Sequence, residues 1–151
     1  MRNKAILNYK MFPDYGSNLG DVVPVGKQLD IWGDAETEVM ILNDGDESLC
    51  LGYEDVHFYH DLYVGDQVDF KATMVKIGNT SRRVKLETYK VATPARRNGR
   101  PDAAENEMDI LNPPLLCSKG YSVLVVKKPQ QRGVQPEGIV ADPWAEVEKV
   151  I

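Results

Sequence analysis

The sequence has few cysteines and no long apolar run. It contains two cysteines among 151 residues, so no disulfide framework is predicted. Cys50 and Cys117 both lie in apolar runs, where a small buried thiol is expected. No stretch approaches the roughly 20 apolar residues of a membrane span, and the basic N-terminus lacks the apolar segment and cleavage site of a signal peptide. We therefore expect a cytoplasmic protein without a membrane partner.

Motifs of several common site classes are also missing. The two histidines, His57 and His60, lie on opposite faces of one predicted strand, which is a poor arrangement for binding a metal. The segment NDGDE lacks the spacing of a calcium loop, and there is neither a glycine-rich phosphate loop nor a Gly-x-Ser-x-Gly elbow. The formal net charge of -5 disfavours nonspecific nucleic-acid binding. No metal site and no nucleic-acid partner are predicted.

What the chain does contain is one long amphipathic helix. The pattern predicts it from Pro24 to about Asn43, and Gly45 can adopt the left-handed conformation that ends a helix. Apolar residues recur at spacings of three and four and share one helix face: Leu29, Trp32, Ala35, Val39 and Leu42. This face is expected to pack against the core.

Long strands follow the helix, and a short one precedes it at residues 4–11. In residues 67–77 apolar positions alternate, but the phase slips near Met74, which predicts a bulge. The turn at Gly78-Asn79 leads into a strand over residues 82–93. The last strong strand, residues 120–128, is a continuous apolar run, which suggests burial on both faces.

Residues 94–114 are predicted to form a long loop with a helical turn near Asp102, whose spacing to Glu105 suits a capping box. A short helix beginning at Asp142-Pro143 is expected in the tail. The chain is predicted to be one domain, residues 1–151, with its core at about 4–128 and a C-terminal tail at 129–151.

The predicted fold class is α+β, an antiparallel sheet wrapped around one long helix. A single helix cannot cover both faces of such a sheet, so self-association is expected.

Several segments, in this order, resemble the hot-dog fold of acyl-CoA thioesterases and hydratases. They are Gly26 followed by Asp34, then Val56-His57-Phe58, Tyr63-Val64-Gly65-Asp66 and Gly78-Asn79-Thr80-Ser81. A narrower resemblance rests on WGDAETEVM, DGDESLCLGYEDVHF, LYVGD, KIGNTS, YKVAT, NPPLL and KKPQQRGVQPE. These segments are similar to the CoA-linked β-amino acid ammonia-lyases of anaerobic fermenters, which act on 3-aminobutyryl-CoA or β-alanyl-CoA.

This resemblance implies a lyase that interconverts a short 3-aminoacyl-CoA, L-3-aminobutyryl-CoA first, with an enoyl-CoA and ammonia. It implies a role in amino-acid degradation such as lysine fermentation, with no metal or organic cofactor, because coenzyme A is part of the substrate. It further implies a homodimer that assembles into a hexamer. An acyl-CoA thioesterase and a noncatalytic acyl-CoA-binding module remain alternatives.

Deamination of a β-aminoacyl thioester needs a base beside the carbonyl, and a carboxylate suits this task. Asp34 and Glu38 lie four residues apart on one side of the helix. If both are partly buried, the pKa of one rises and the other stays ionised, which provides an acid and a base. They are the predicted catalytic pair. Glu36 points about 160° away from Glu38; it is a weaker candidate, for substrate binding, and is expected to be mostly solvated.

Two further groups of ligand-binding residues are predicted. Gly33 would expose backbone amides to the enolate oxygen if the helix is irregular there, although a close helix–sheet contact explains it equally well. His57 is assigned to the substrate site by the resemblance. Basic and polar side chains suited to coenzyme A phosphates are Lys76, Asn79, Ser81, Arg82, Lys128 and Arg132.

Overall fold

A computed structural model describes residues 3–16 and 20–132 together with the backbone of residues 138–139. One long helix and eight strands make up this part of the chain. Their bounds are β1 Lys4–Lys10, β2 Val22–Val23, α1 Val25–Asp44, β3 Leu49–Phe58, β4 Leu62–Tyr63, β5 Gln67–Ile77, β6 Ser81–Pro94, β7 Met108–Val125 and β8 Gly138–Ile139. Short 3-10 turns occur at Pro13–Tyr15, Ala95–Arg97 and Lys128–Gln130.

The main sheet is antiparallel, with the strand order β1-β5-β6-β7-β3, and β8 pairs with the end of β5. Strands β2 and β4 form a separate small pair. Helix α1 packs against β1, β5 and β6. This is the α+β arrangement predicted from the element order. Within the described residues β3 pairs only with β7, so β3 lies at an edge of the sheet.

Helix α1 confirms the predicted span to within one residue at each end. Trp32, Ala35 and Val39 of the predicted apolar face are fully buried. Gly45 ends the helix with φ 72°, and its N–H donates to the carbonyl of Ile41 at 2.9 Å. A glycine is favoured there because a side chain would strain the left-handed backbone.

Strand β5 supplies much of the core beneath the helix. Val68, Phe70, Ala72 and Met74 have no exposed surface, which matches the alternation read from the sequence. The pairing with β6 shifts register between Met74 and Lys76, so the predicted bulge is confirmed. Because of this shift Ile77 faces the core and is fully buried, whereas Lys76 is exposed.

The predicted loop over residues 94–114 is wrong in its second half, because β7 begins at Met108. Its pairing with β6 jumps from Ile110 opposite Ala92 to Leu115 opposite Lys90. Pro113 and Pro114 fall inside this irregularity, where no regular ladder hydrogen bond is required of them. No capping-box helix forms at Asp102, and the predicted helix at Asp142 lies outside the described residues.

Two burial predictions are also wrong. Cys117 is buried, but Cys50 is exposed because it lies on the edge strand β3. The apolar run at the end of β7 is not buried on both faces: Ser122 and Leu124 are buried, whereas Tyr121 and Val123 are half-buried. The outer face of the sheet has no second helix over it among the described residues.

Candidate active site

The side chain of Glu36 is the buried acid of helix α1. It is 4% exposed and points toward the edge strand β3, where the Tyr53 hydroxyl donates to its Oε1 at 3.3 Å. Its other oxygen, Oε2, is buried without a hydrogen-bond partner. The expectation that Glu36 is solvated is therefore wrong. Glu36 lies four residues after Trp32 and three before Val39, so it shares the buried face of the helix.

Burial raises the pKa of the Glu36 carboxyl, because the charged form loses its hydration. The nearby polar groups of Ser122, Tyr53 and Cys50 oppose this rise. Burial and the charge of Glu36 also raise the pKa values of Tyr53 and of the Cys50 thiol. A carboxyl group in such a setting can exchange a proton nearer neutral pH than an ordinary glutamate.

An aromatic wall stands beside this acid. Trp32 is fully buried, and its indole Nε1 donates to Thr88 Oγ1 at 2.9 Å. Phe58 stacks parallel to the indole with ring centroids 6.3 Å apart, and the Tyr53 ring lies 6.4 Å away. These contacts hold the aromatic rings beside Glu36 in place and pack β3 against the helix.

Asp34 and Glu38 do not join Glu36. Asp34 is exposed on the β1 side of the helix, where its charge adds to burial in raising the pKa of Tyr9. The expectation that both predicted acids are partly buried is thus wrong for Asp34. Glu38 is half-buried, and its Oε2 is buried without a hydrogen-bond partner. Within one subunit Asp34 and Glu36 flank opposite sides of α1.

Neither structural expectation for Gly33 is met. The helix runs through Gly33 without interruption, so its amide belongs to the regular helical ladder. A close helix–sheet contact is also absent, since a Cβ placed at Gly33 would meet no described atom within 4 Å. Gly33 therefore leaves open space along the helix.

His57 lies away from Glu36. It is exposed, stacks on Tyr59 with ring centroids 6.0 Å apart, and pairs with Lys119 across the sheet. Directly opposed residues share a face, and Lys119 belongs to the face turned away from α1. The bulge between Glu54 and His57 sets this orientation. The expectation that His57 belongs with the helix acids is therefore wrong for a single subunit.

Most of the predicted coenzyme A residues gather at one end of the molecule. The turn after β5 and the segment after β7 touch there: Val126 N–H donates to the Thr80 carbonyl at 2.9 Å, and Gln131 Nε2 donates to the Asn79 carbonyl at 2.8 Å. This places five exposed residues on neighbouring segments, namely Lys76, Asn79, Ser81, Lys128 and Arg132.

Arg82 is the exception, and the prediction that it binds coenzyme A is wrong. It is 1% exposed because it points inward from β6, like Val84 and Leu86. Its Nε and one terminal nitrogen donate to the two oxygens of Asp44 at 2.9 and 3.0 Å. Its other terminal nitrogen donates to the carbonyls of Gly78 and Ser81. This bidentate pair locks the end of α1 to the start of β6.

Among the described residues, no group of three or more His, Cys, Asp or Glu side chains could hold a metal ion. No helix in that part of the chain is long and apolar enough to cross a membrane.

Comparison with known proteins settles the family. The chain is 32% identical over 129 residues to the 3-aminobutyryl-CoA ammonia lyase of Acetoanaerobium sticklandii, covering 85% of this chain and 98% of that one. The chain belongs to the CoA-linked ammonia-lyase family. It is accordingly a carbon–nitrogen lyase, as the resemblance implied. No family model matches the sequence.

Solved structures agree with this ammonia-lyase assignment. The β-alanyl-CoA:ammonia lyase of Clostridium propionicum superposes with a TM-score of 0.79 at 33% identity, covering 90% of this chain and 94% of that one. The acyl-CoA hydrolase of Staphylococcus aureus, solved with butyryl coenzyme A, superposes with a TM-score of 0.63 at 15% identity, covering 90% and 71%. The second likeness shows the hot-dog fold alone.

Three polar groups near Glu36 were not predicted from the sequence: Tyr53, Cys50 and Ser122. The helical pattern did hold a signal for Glu36, because that residue falls on the same face as Trp32 and Val39. No local signal identifies Tyr53 or Ser122, since strands β3 and β7 reach Glu36 only through the tertiary fold.

Proposed function

We propose that this ammonia-lyase interconverts a short 3-aminoacyl-CoA, L-3-aminobutyryl-CoA first, with crotonyl-CoA and ammonia, and that Glu36 transfers the proton. The observation that carries the proposal is a buried carboxyl, beneath an aromatic wall, in a chain of this family. A buried acid suits the step better than a solvated one, because its environment tunes the pKa and excludes water.

In the elimination direction the carboxylate of Glu36 takes the proton from the carbon beside the thioester carbonyl. The freed electron pair forms the carbon–carbon double bond, and the bond to nitrogen breaks with its pair leaving on nitrogen. The substrate ammonium thus departs as neutral ammonia. Addition of ammonia is the reverse, with protonated Glu36 returning the proton. Tyr53 orients the carboxyl throughout.

The other predicted site residues keep proposed roles. Asp34 and Glu38 are the alternative acids, and either can pair with the cationic amine of the substrate. The open space beside Gly33 would admit the acyl chain along the helix. His57 can reach the site only from another subunit or by a change at the edge strand. No metal or organic cofactor is proposed.

The exposed residues at the turn after β5 and the segment after β7 are proposed to contact coenzyme A: Lys76, Asn79, Ser81, Lys128 and Arg132. A cavity of about 380 Å³ lies beside them, but its charged lining residues are two carboxylates, Asp46 and Glu47, against one cation, Lys127. These carboxylates would repel phosphates, so the phosphate contacts are assigned to the exposed lysines and arginine rather than to that cavity.

We propose a homodimer joined along β3, assembling into a hexamer. Strand β3 is an edge with large exposed apolar side chains, including Leu49 at 64% and Leu51 at 69% exposure, and such an edge is a ready template for pairing. A thioesterase of Campylobacter jejuni with the same fold is hexameric.

We also propose that the enzyme acts in amino-acid degradation, such as lysine fermentation, in the cytoplasm.

The deciding assay mixes purified protein with ammonium and either crotonyl-CoA or acryloyl-CoA. Loss of enoyl absorbance, faster with crotonyl-CoA, supports the proposal; faster loss with acryloyl-CoA makes β-alanyl-CoA the substrate. Release of free thiol without amine addition would support the thioesterase instead. Binding of acyl-CoA with neither reaction would support the noncatalytic module.

A further inference from the structure

A cavity on the outer face of the sheet carries chemistry that the proposed reaction does not use. Its volume is about 550 Å³, and residues of β5, β6 and β7 line it together with one residue of β3. Arg83 and Lys85 reach it from β6, where they alternate with Val84 and Leu86, which are buried beneath α1. The cavity is therefore separated from Glu36 by the sheet itself.

Positive charge dominates this outer cavity, although the chain as a whole is acidic. Four of its lining residues are cations, Lys76, Arg83, Lys85 and Lys119, against one lining carboxylate, Asp55. Lys85 is paired with Glu87 at 3.4 Å. Lys76 and Lys119 form no ion pair with any described residue. Two ammonium groups without carboxylate partners, facing one cavity, suit an anionic ligand.

The cavity also has a planar platform. The Arg83 guanidinium lies 4.4 Å from the centre of the Tyr121 ring, and one of its terminal nitrogens pairs with the carboxylates of Glu54 and Asp55 at 3.3 and 3.6 Å. These contacts fix the guanidinium without neutralising the two lysines. A guanidinium stacked on a tyrosine offers a flat surface on which a heteroaromatic base can lie.

We infer that the outer cavity binds an adenosine phosphate, with the base on the Arg83–Tyr121 platform and phosphate on Lys76 and Lys119. Two sources share this chemistry: the adenosine 3′,5′-bisphosphate end of coenzyme A, and a free adenine nucleotide acting as an effector. The first source rests on the proposed function, whereas nucleotide binding itself does not.

The position of β3 is compatible with binding of the adenosine 3′,5′-bisphosphate end of coenzyme A in the outer cavity. Tyr53 contacts Glu36 on the helix side of the strand, and the next residue, Glu54, contacts Arg83 on the outer side. The cavity and the buried acid therefore lie on either side of one short stretch of the edge strand. A ligand with a nucleotide at one end and a thioester at the other could engage both across this edge.

The first experiment measures binding without turnover, by calorimetric titration of the full chain with adenosine 3′,5′-bisphosphate. The double variant Arg83→Ala/Lys119→Ala is compared with Lys10→Ala, which removes one exposed positive charge outside the cavity. We expect the parent to bind the bisphosphate. The affinity should fall at least about tenfold in the double variant, a loss of about 1.4 kcal/mol or more, and should be unchanged in Lys10→Ala. No binding, or equal binding by all three proteins, overturns the inference.

The second experiment separates the two sources by amine addition to crotonyl-CoA and to crotonyl-pantetheine, which lacks the nucleotide. If the cavity holds the coenzyme A tail, the double variant raises KM for crotonyl-CoA and leaves the rate with crotonyl-pantetheine unchanged. Weakened bisphosphate binding with unchanged KM for both substrates assigns the cavity to a free nucleotide. If the proposed substrate is wrong, neither compound reacts, yet the titration still decides whether the cavity binds nucleotide.

Discussion

The Tyr53 hydroxyl donates a hydrogen bond to Oε1 of Glu36 across 3.3 Å, joining the edge strand of the sheet to the middle of the only long helix among the described residues. Glu36 is buried and Tyr53 is partly exposed at the rim. The acid thus lies just inside the edge along which a second subunit is proposed to pair. Its environment is therefore set by β3, and changes in that strand should alter the chemistry of Glu36.

Replacing the buried acid tests its role directly. Glu36→Gln keeps the shape and is expected to lower kcat by ~10²–10⁴-fold, since general acid–base help contributes about that much. Asp30→Asn, an exposed acid on the same helix, is the matched control and should retain the parental rate. Asp34→Asn is measured beside them. If it abolishes turnover while Glu36→Gln does not, Asp34 is the base.

Removing the Tyr53 hydroxyl should change the pH profile more than the fold. The hydrogen bond from Tyr53 lowers the pKa of Glu36, so Tyr53→Phe is expected to raise that pKa further. In the elimination direction the acidic limb of kcat/KM should move to higher pH. Tyr59→Phe, which alters an exposed ring stacked on His57, should leave the limb in place. If the acidic limb of kcat/KM does not move in Tyr53→Phe, the hydrogen bond from Tyr53 does not control the pKa of the catalytic group.

Glu36 also predicts a pH dependence of stability. Its pKa is raised from the ordinary value of 4.5, so the folded chain binds more protons than the unfolded chain between that value and the raised pKa. The free energy of unfolding should therefore fall as pH rises through this window. Urea denaturation of the parent and of Glu36→Gln across this range checks the sign. The parent should lose more stability than the variant as pH rises, and a parallel response would contradict the assignment.

The buried pair between Asp44 and Arg82 should govern stability rather than ligand affinity. Asp44→Ala leaves a fully buried guanidinium without its carboxylate, and such changes cost ~3–5 kcal/mol. The double variant Asp44→Leu/Arg82→Met should unfold at higher urea concentration than Asp44→Ala, because no charge is left unpaired. Lys128→Ala serves as the contrast: it should weaken coenzyme A binding in a salt-dependent way with little effect on unfolding.

The helix, the order of the elements along the chain and the bulge in β5 could be predicted, because the apolar spacing and the turn residues of each segment indicate them. The burial of Arg82 was also within reach, since it alternates with Val84 and Leu86. The strand through Pro113 and Pro114 was hidden, because its register jump depends on pairing with β6. The partners of Glu36 and the outer cavity were not predictable, as each gathers residues from distant segments.

The bulge in β5 sets which side chains beyond Met74 enter the protein interior. With Val75 accommodated as the extra residue, Ile77 fills the core and Lys76 reaches the outer cavity; the same sequence in a strand without a bulge would exchange their places and bury a lysine. Deletion of Val75 should therefore be tolerated, because it restores the regular alternation and leaves Ile77 inward. Deletion of Thr73 should instead damage packing, because it exchanges the faces of the residues on one side of it. Gain or loss of residues in the exposed segment 98–107 would change no core position, so lineages of this enzyme should vary in length there and keep a constant spacing from Val68 to Met74.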